Sequence, residues 1–183
     1  IPGNGQSQDI GFAYDKTVSH VVLDHVFSKV NINIVQGIWA YGISSLYAVF
    51  GANKISTLKY LILGGGYYDL EKIYNTTTNK NFKSDIDKYY ANNFTKYFES
   101  NSISWDFNSL SQHLSIIMYH GDQDTVANFS QAQEFKDNLS LSGYFIKLHN
   151  IEKMGHDIPP TVHANILYNI FLSNLDISEF DEQ

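Results

Sequence analysis

The chain contains no cysteine and no arginine, and no apolar run in it approaches the ~20 residues needed to cross a bilayer. Lack of cysteine excludes disulfides, thiol catalysis and thiolate metal sites. Together with the lack of a visible signal peptide, it favours a cytoplasmic location. All 12 basic residues are lysine and the net charge is −7. Arginine is the preferred bidentate clamp for phosphate, so its absence on an acidic chain argues against a nucleic-acid partner. The longest apolar stretches, Val35–Trp39 and Tyr60–Leu63, have the length of strands.

What is present suffices for one domain, 1–183, with a real core. The first residue is Ile1, as expected of a processed, trimmed or partial chain. Residues 2–7 read as a turn. Valines at 18, 22 and 26 predict a helix over 13–29. Asn31–Trp39 and Thr57–Leu63 read as buried strands, with a helix over Gly42–Ala52 between them. Ser115–Tyr119 and Tyr144–Ile151 read as two more strands. Asn128 with Gln131 resembles a capping pair that opens the helix between them. A last helix starts at Pro159-Pro160, with Val162, Ile166 and Ile170 on one face.

Residues 67–112 break this rhythm. They hold 11 of the 27 aromatic residues, and Phe82, Ile86, Tyr89, Tyr90, Phe94 and Tyr97 suit one amphipathic helix. This segment reads as a helical insert. The alternation outside it predicts an α/β fold with a mostly parallel sheet and helices on both faces. In such sheets functional groups gather beyond the carboxyl ends of the strands.

Three motifs sit at such ends. In Ile38-Trp39-Ala40-Tyr41-Gly42 a strand turns directly into a helix. A nucleophile elbow has that shape, with small residues two places either side of its apex. Gly42 fits the second small position if Ala40 is the apex, whereas Ile38 does not fit the first. His120-Gly121-Asp122-Gln123-Asp124 follows the next-to-last strand. An acid in that loop accepts a hydrogen bond from a histidine Nδ1–H; Asp124 is the candidate, with Asp122 the alternative, and His120 supports the loop. Gly155-His156 follows the last strand and supplies a histidine on a mobile loop.

From Pro2 to about Leu175 the chain resembles the carboxyl-terminal two-thirds of an α/β-hydrolase. The resemblance rests on the order of the elbow, acid and histidine motifs, and on Pro2-Gly3-Asn4-Gly5-Gln6-Ser7, similar to the family's Gly-x-Gly-x-Ser loop. The nearest branch is that of serine esterases, prolyl-oligopeptidase-like peptidases and fermentation–respiration switch proteins. The resemblance implies that the early strands of the fold are missing and that the insert at 67–112 is a lid. It implies hydrolysis of esters, amides or related bonds. The apex residue would attack, His156 would carry the proton, Asp124 would orient His156, and the Tyr41 N–H would be one oxyanion donor. Trp39, Tyr67 and Tyr68 are expected to line a pocket for an apolar or aromatic small molecule or peptide. No metal or organic cofactor is needed, and an oligomer is compatible with all of this.

Ala40 has no oxygen with which to attack. It stands either as a native loss or as a replacement of serine, and negligible nucleophilic turnover is expected either way. The competing function is a binding or regulatory protein that has kept the fold and lost the chemistry. Ser44 and Ser45 lie in the helix, where they are expected to pack or to bond back to the main chain. His20 and His25 are five residues apart and point apart, which disfavours a metal site.

Overall fold

The computed structural model describes residues 16–90, 110–111 and 113–174. Among them, four parallel strands form one sheet in the order β1 (Gly37–Tyr41), β2 (Tyr60–Gly64), β3 (Ser115–Gly121), β4 (Ile146–Ile151). Helices connect them: α1 (Lys16–Phe27), α2 (Ser44–Ala52), α3 (Leu70–Thr76), α4 (Lys80–Tyr90), α5 (Phe129–Leu141) and α6 (Pro160–Asn174). The expected Pro2–Ser7 loop, and Phe94 and Tyr97 of the insert, lie outside the described residues.

Parallel strands feed helices back across the sheet, so both faces are covered and the central strands read as continuous apolar runs. Register fixes which residues share a face. Ala40, Leu63 and Met118 stand in line and face a core built with α1, α2 and α5, which includes Leu46, Val49 and Phe135. Trp39, Ile62 and Ile117 stand in line on the opposite face, as do Tyr41, Gly64 and Tyr119. There Ile62, Ile117 and Tyr119 form a second core with Ile158, Val162 and Ile166. The insert between β2 and β3 contributes α3 and α4, and Phe82 and Ile86 of α4 are fully buried, as the aromatic periodicity predicts.

Two local expectations change. The stretch from Asn31 is not strand: Ile32–Ile34 forms a 3₁₀ turn, opened by Asn31, whose side chain accepts from the Asn33 N–H at 3.2 Å. Asparagine competes for local backbone donors in this way, so the strand starts only at Gly37. Asn128 does cap α5, accepting from the Ser130 N–H at 3.0 Å. Gln131 is not its capping partner. It is buried, and its side-chain oxygen accepts from the N–H groups of Tyr68 and Asp69, at 3.1 and 3.2 Å. It thereby ties the chain leaving β2 to α5.

The loops after β3 and β4 are laced together. The Asp122 N–H donates to the Ile151 carbonyl at 3.2 Å, the Gln123 N–H to the Met154 carbonyl at 2.9 Å, and the Lys153 N–H to Asp122 Oδ1 at 2.7 Å. Gly121 makes this approach possible. A Cβ there would overlap the Met154 carbonyl oxygen and lie 2.6 Å from that of Gly155. Gly121→Ala therefore has to push the two loops apart. Its expected cost is about 1–3 kcal/mol, read as a lowered urea midpoint; an unchanged midpoint would contradict the packing described.

Candidate active site

Asp124 is nearly fully buried, with both oxygens occupied. Its Oδ1 accepts from the backbone N–H groups of Val126 and Ala127, each at 2.8 Å. Its Oδ2 lies 2.8 Å from His156 Nδ1 and 3.2 Å from His120 Nε2. An ionised carboxylate only accepts, so His156 Nδ1 carries the proton of this hydrogen bond, and Nε2 is the nitrogen left to face the bend. Burial by itself raises the Asp124 pKa. The hydrogen bonds from His120, His156 and Ala127 outweigh it and hold the carboxyl well below the usual carboxylate range. His120, fully buried, also places Nε2 2.6 Å from the Ala127 carbonyl and so pins the loop that carries Asp124. Asp122 serves the Lys153 turn instead.

The strand–helix bend falls at Gly42, two residues past Ala40. Gly42 has φ +56°, in the left-handed region, and its N–H still closes the ladder onto the Gly64 carbonyl at 2.9 Å. A Cβ built on Gly42 lies 3.5 Å from His156 Nε2 and 3.9 Å from Cε1. Ala40 sits inside β1, buried in the α1–α2 core and paired with Leu63. The bend expected at Ala40 is found at Gly42: a side chain at 40 leaves a regular strand, whereas one at 42 leaves the bend. The flanking small residues also fall into place around Gly42, as Ala40 and Ser44.

Tyr41 closes β1 ahead of the bend, and the residue that follows the bend is Ile43. What Tyr41 brings is its hydroxyl, which donates to the His156 main-chain carbonyl. Its ring lies 5.7 Å from the imidazole. Burial is the main cause that pushes its phenol up to about 12. Ser45 is fully buried: its hydroxyl donates to the Gly42 carbonyl at 2.7 Å and accepts from the Tyr67 N–H at 2.9 Å. It is structural, as expected of a helix serine that bonds back.

The three expected pocket residues part company. Tyr67 is at the site, with its ring 5.7 Å from His156 and edge-on to Phe82 of the insert at 5.9 Å. Tyr68 is fully buried and stacked on Phe135 at 4.5 Å, under the loop; burial raises its phenol pKa. It is core because α5 packs against the turn after β2. Trp39 is half-exposed on the α6 face, where its indole N–H donates to the Tyr119 hydroxyl at 2.8 Å. Tyr119 in turn lies 3.0 Å from His163 Nδ1. A cavity of about 320 Å³ opens between β1, α1 and α2, lined by Trp39 together with residues such as Val26, Phe27, Ile38, Ala40 and Tyr47. His156 does not line it. Among the described residues no cluster of His, Asp and Glu is suited to a metal ion, and no helix is long and apolar enough to cross a membrane.

No family model and no curated protein sequence matches the chain. Solved structures do. An acylaminoacyl peptidase from Pyrococcus horikoshii superposes with a TM-score of 0.71 at 13% identity, over 98% of this chain and 32% of its own. Acetyl xylan esterase 1 from Thermoanaerobacterium sp. JW/SL YS485 gives 0.61 at 8%, over 91% and 59%. A puromycin-hydrolyzing peptidase from Mycobacterium tuberculosis gives 0.60 at 14%, over 77% and 21%. The fold is that of an α/β-hydrolase. The chain spans less than two thirds of each of these three proteins, and at such identities the likeness is one of fold.

Linkage gives the pair a pH signature. A carboxyl held low in the folded state stabilises the protein above its ordinary pKa of about 4, and that stabilisation fades as pH falls from there toward the folded value. Asp124→Asn is expected to cost about 1–3 kcal/mol at pH 7, with the gap to wild type narrowing below about pH 4. Denaturant midpoints at pH 7, 5 and 3 check this; a gap that stays constant across them contradicts it.

Proposed function

We propose that the chain carries the acid–base half of an ester- or amide-hydrolase site, with glycine in the nucleophile's seat. The observation that carries this is the line Asp124–His156–Gly42: carboxylate on Nδ1, and Nε2 facing the Cβ direction of the bend. In a serine hydrolase the bend residue attacks, the histidine takes and returns its proton, and the acid fixes the tautomer. Here the acid and the base are in place and the attacking oxygen is lacking, at position 42 rather than 40. The chain therefore forms no acyl-enzyme. Acyl esters and amides are the substrate class, in keeping with the peptidases and the esterase that share its fold.

Glycine has a physical reason to be there. A serine held at φ near +56° carries about 1–2 kcal/mol of backbone strain, which glycine relieves. A second reading, a binding protein without turnover, is favoured by that same glycine.

Serine substitution tests the seat. Gly42→Ser is expected to lose about 1–2 kcal/mol of stability and to gain covalent labelling by a fluorophosphonate at position 42. Ala40→Ser is expected to gain none. Intact mass after labelling reads both. Labelling of Ala40→Ser, with none of a folded Gly42→Ser, would overturn the assignment.

A further inference from the structure

The His–Asp pair is kept in working order at a site without a nucleophile. Asp124 accepts three hydrogen bonds on its two oxygens, one of them from His156 Nδ1, with His120 Nε2 beside it at 3.2 Å. The hydroxyl of Tyr41 holds the His156 main chain from the other side. The imidazole is thereby fixed in position and tautomer. Its Nε2 has no hydrogen-bond partner among the described residues and faces Gly42. A merely structural histidine would gain as much by turning that nitrogen to a main-chain donor.

Glycine also sets the room in front of Nε2. The Cβ point of Gly42 is 3.5 Å from Nε2. A water oxygen hydrogen-bonded to the imidazole at about 2.8 Å would lie in the space that a larger residue's side chain would fill. The His156 side chain is 18% exposed, so solvent reaches it. No side chain caps the start of α2, and its first N–H groups, at Ile43 and Ser44, lack helical carbonyl partners. They follow directly on the bend. The rings of Tyr41 and Tyr67, each 5.7 Å from the imidazole, wall the site on two sides.

We infer that His156, oriented by Asp124, activates water directly over Gly42, so that the chain hydrolyses small acyl esters in one displacement without a covalent intermediate. This rests on the placement of Gly42 in the nucleophile's seat. The water oxygen bonds to the acyl carbon while one of its protons passes to Nε2. The carbonyl oxygen takes up the negative charge, facing the N–H groups at the start of α2. The bond from the acyl carbon to the leaving oxygen then breaks, and that oxygen takes the proton from Nε2. One ester and one water give one acid and one alcohol. General-base assistance of this kind is worth about 10²–10⁴-fold.

The test is hydrolysis of 4-nitrophenyl acetate by the full chain, beside His156→Ala, Gly42→Ala and Gly42→Ser, with fluorophosphonate labelling of each. Wild type is expected to exceed His156→Ala by about 100-fold or more, with linear progress curves, no burst and no label. Gly42→Ala puts a methyl group in the water's place and is expected to fall to the His156→Ala rate. Should its backbone strain unfold it, Asp124→Asn, which removes the carboxylate that fixes the tautomer, is expected to lower the rate in its stead. A wild-type rate no higher than that of His156→Ala, together with labelling of Gly42→Ser, would overturn the water step and leave the seat standing. A folded Gly42→Ser that takes no label would overturn the seat itself, and the water step with it.

Discussion

Asp124 receives three N–H groups on two oxygens, from the turn before α5 and the loop after β4, and His120 Nε2 at the end of β3 lies 3.2 Å from Oδ2. A buried carboxylate is costly unless its acceptors are filled. The charge therefore requires His120, the turn at 126–127 and His156 to be where they are. Gly121 lets the two loops close, and the Lys153 N–H on Asp122 seals the far side. Most of the site's geometry follows from satisfying this one group.

The other half of the site is set by a backbone angle. The chain leaves β1 still bonded to β2 through the Gly42 N–H, then turns through a left-handed residue into α2. That turn aims position 42 at the imidazole. It also explains Ser45, which ties the Gly42 carbonyl to the Tyr67 amide and so links the bend to the chain leaving β2. The bend and the acid loop are thus built separately, and His156 lies between them. A change at position 42 can alter the chemistry without disturbing the carboxylate.

Much of this was legible in the residues. The alternation of elements follows from their periodicity, and the order of bend, acid and histidine places all three beyond the carboxyl ends of strands. Asp124 and His156 are brought within hydrogen-bonding distance, as their loops suggest. The bend lies two residues past Ala40, and the sequence pattern hides this for a physical reason. Side chains alternate with a period of two along a strand, so a shift of two leaves the pattern unchanged. Only the end of the ladder separates Ala40 from Gly42. The small residues at 40, 42 and 44 were the available signal. Tyr68 and Gln131 could not be placed from the sequence, because both are defined by long-range packing of α5 against the turn after β2. The Tyr41 hydroxyl bond spans 115 positions and has no local signature.

The central claim is that the imidazole of His156 lies over Gly42 and not over Ala40. A proton NOESY spectrum of the labelled protein tests it most directly. The expected result is a cross-peak between the His156 Hε1 proton and the Gly42 Hα protons, with none to the Ala40 methyl group. A cross-peak to the Ala40 methyl, with none to Gly42, would contradict it.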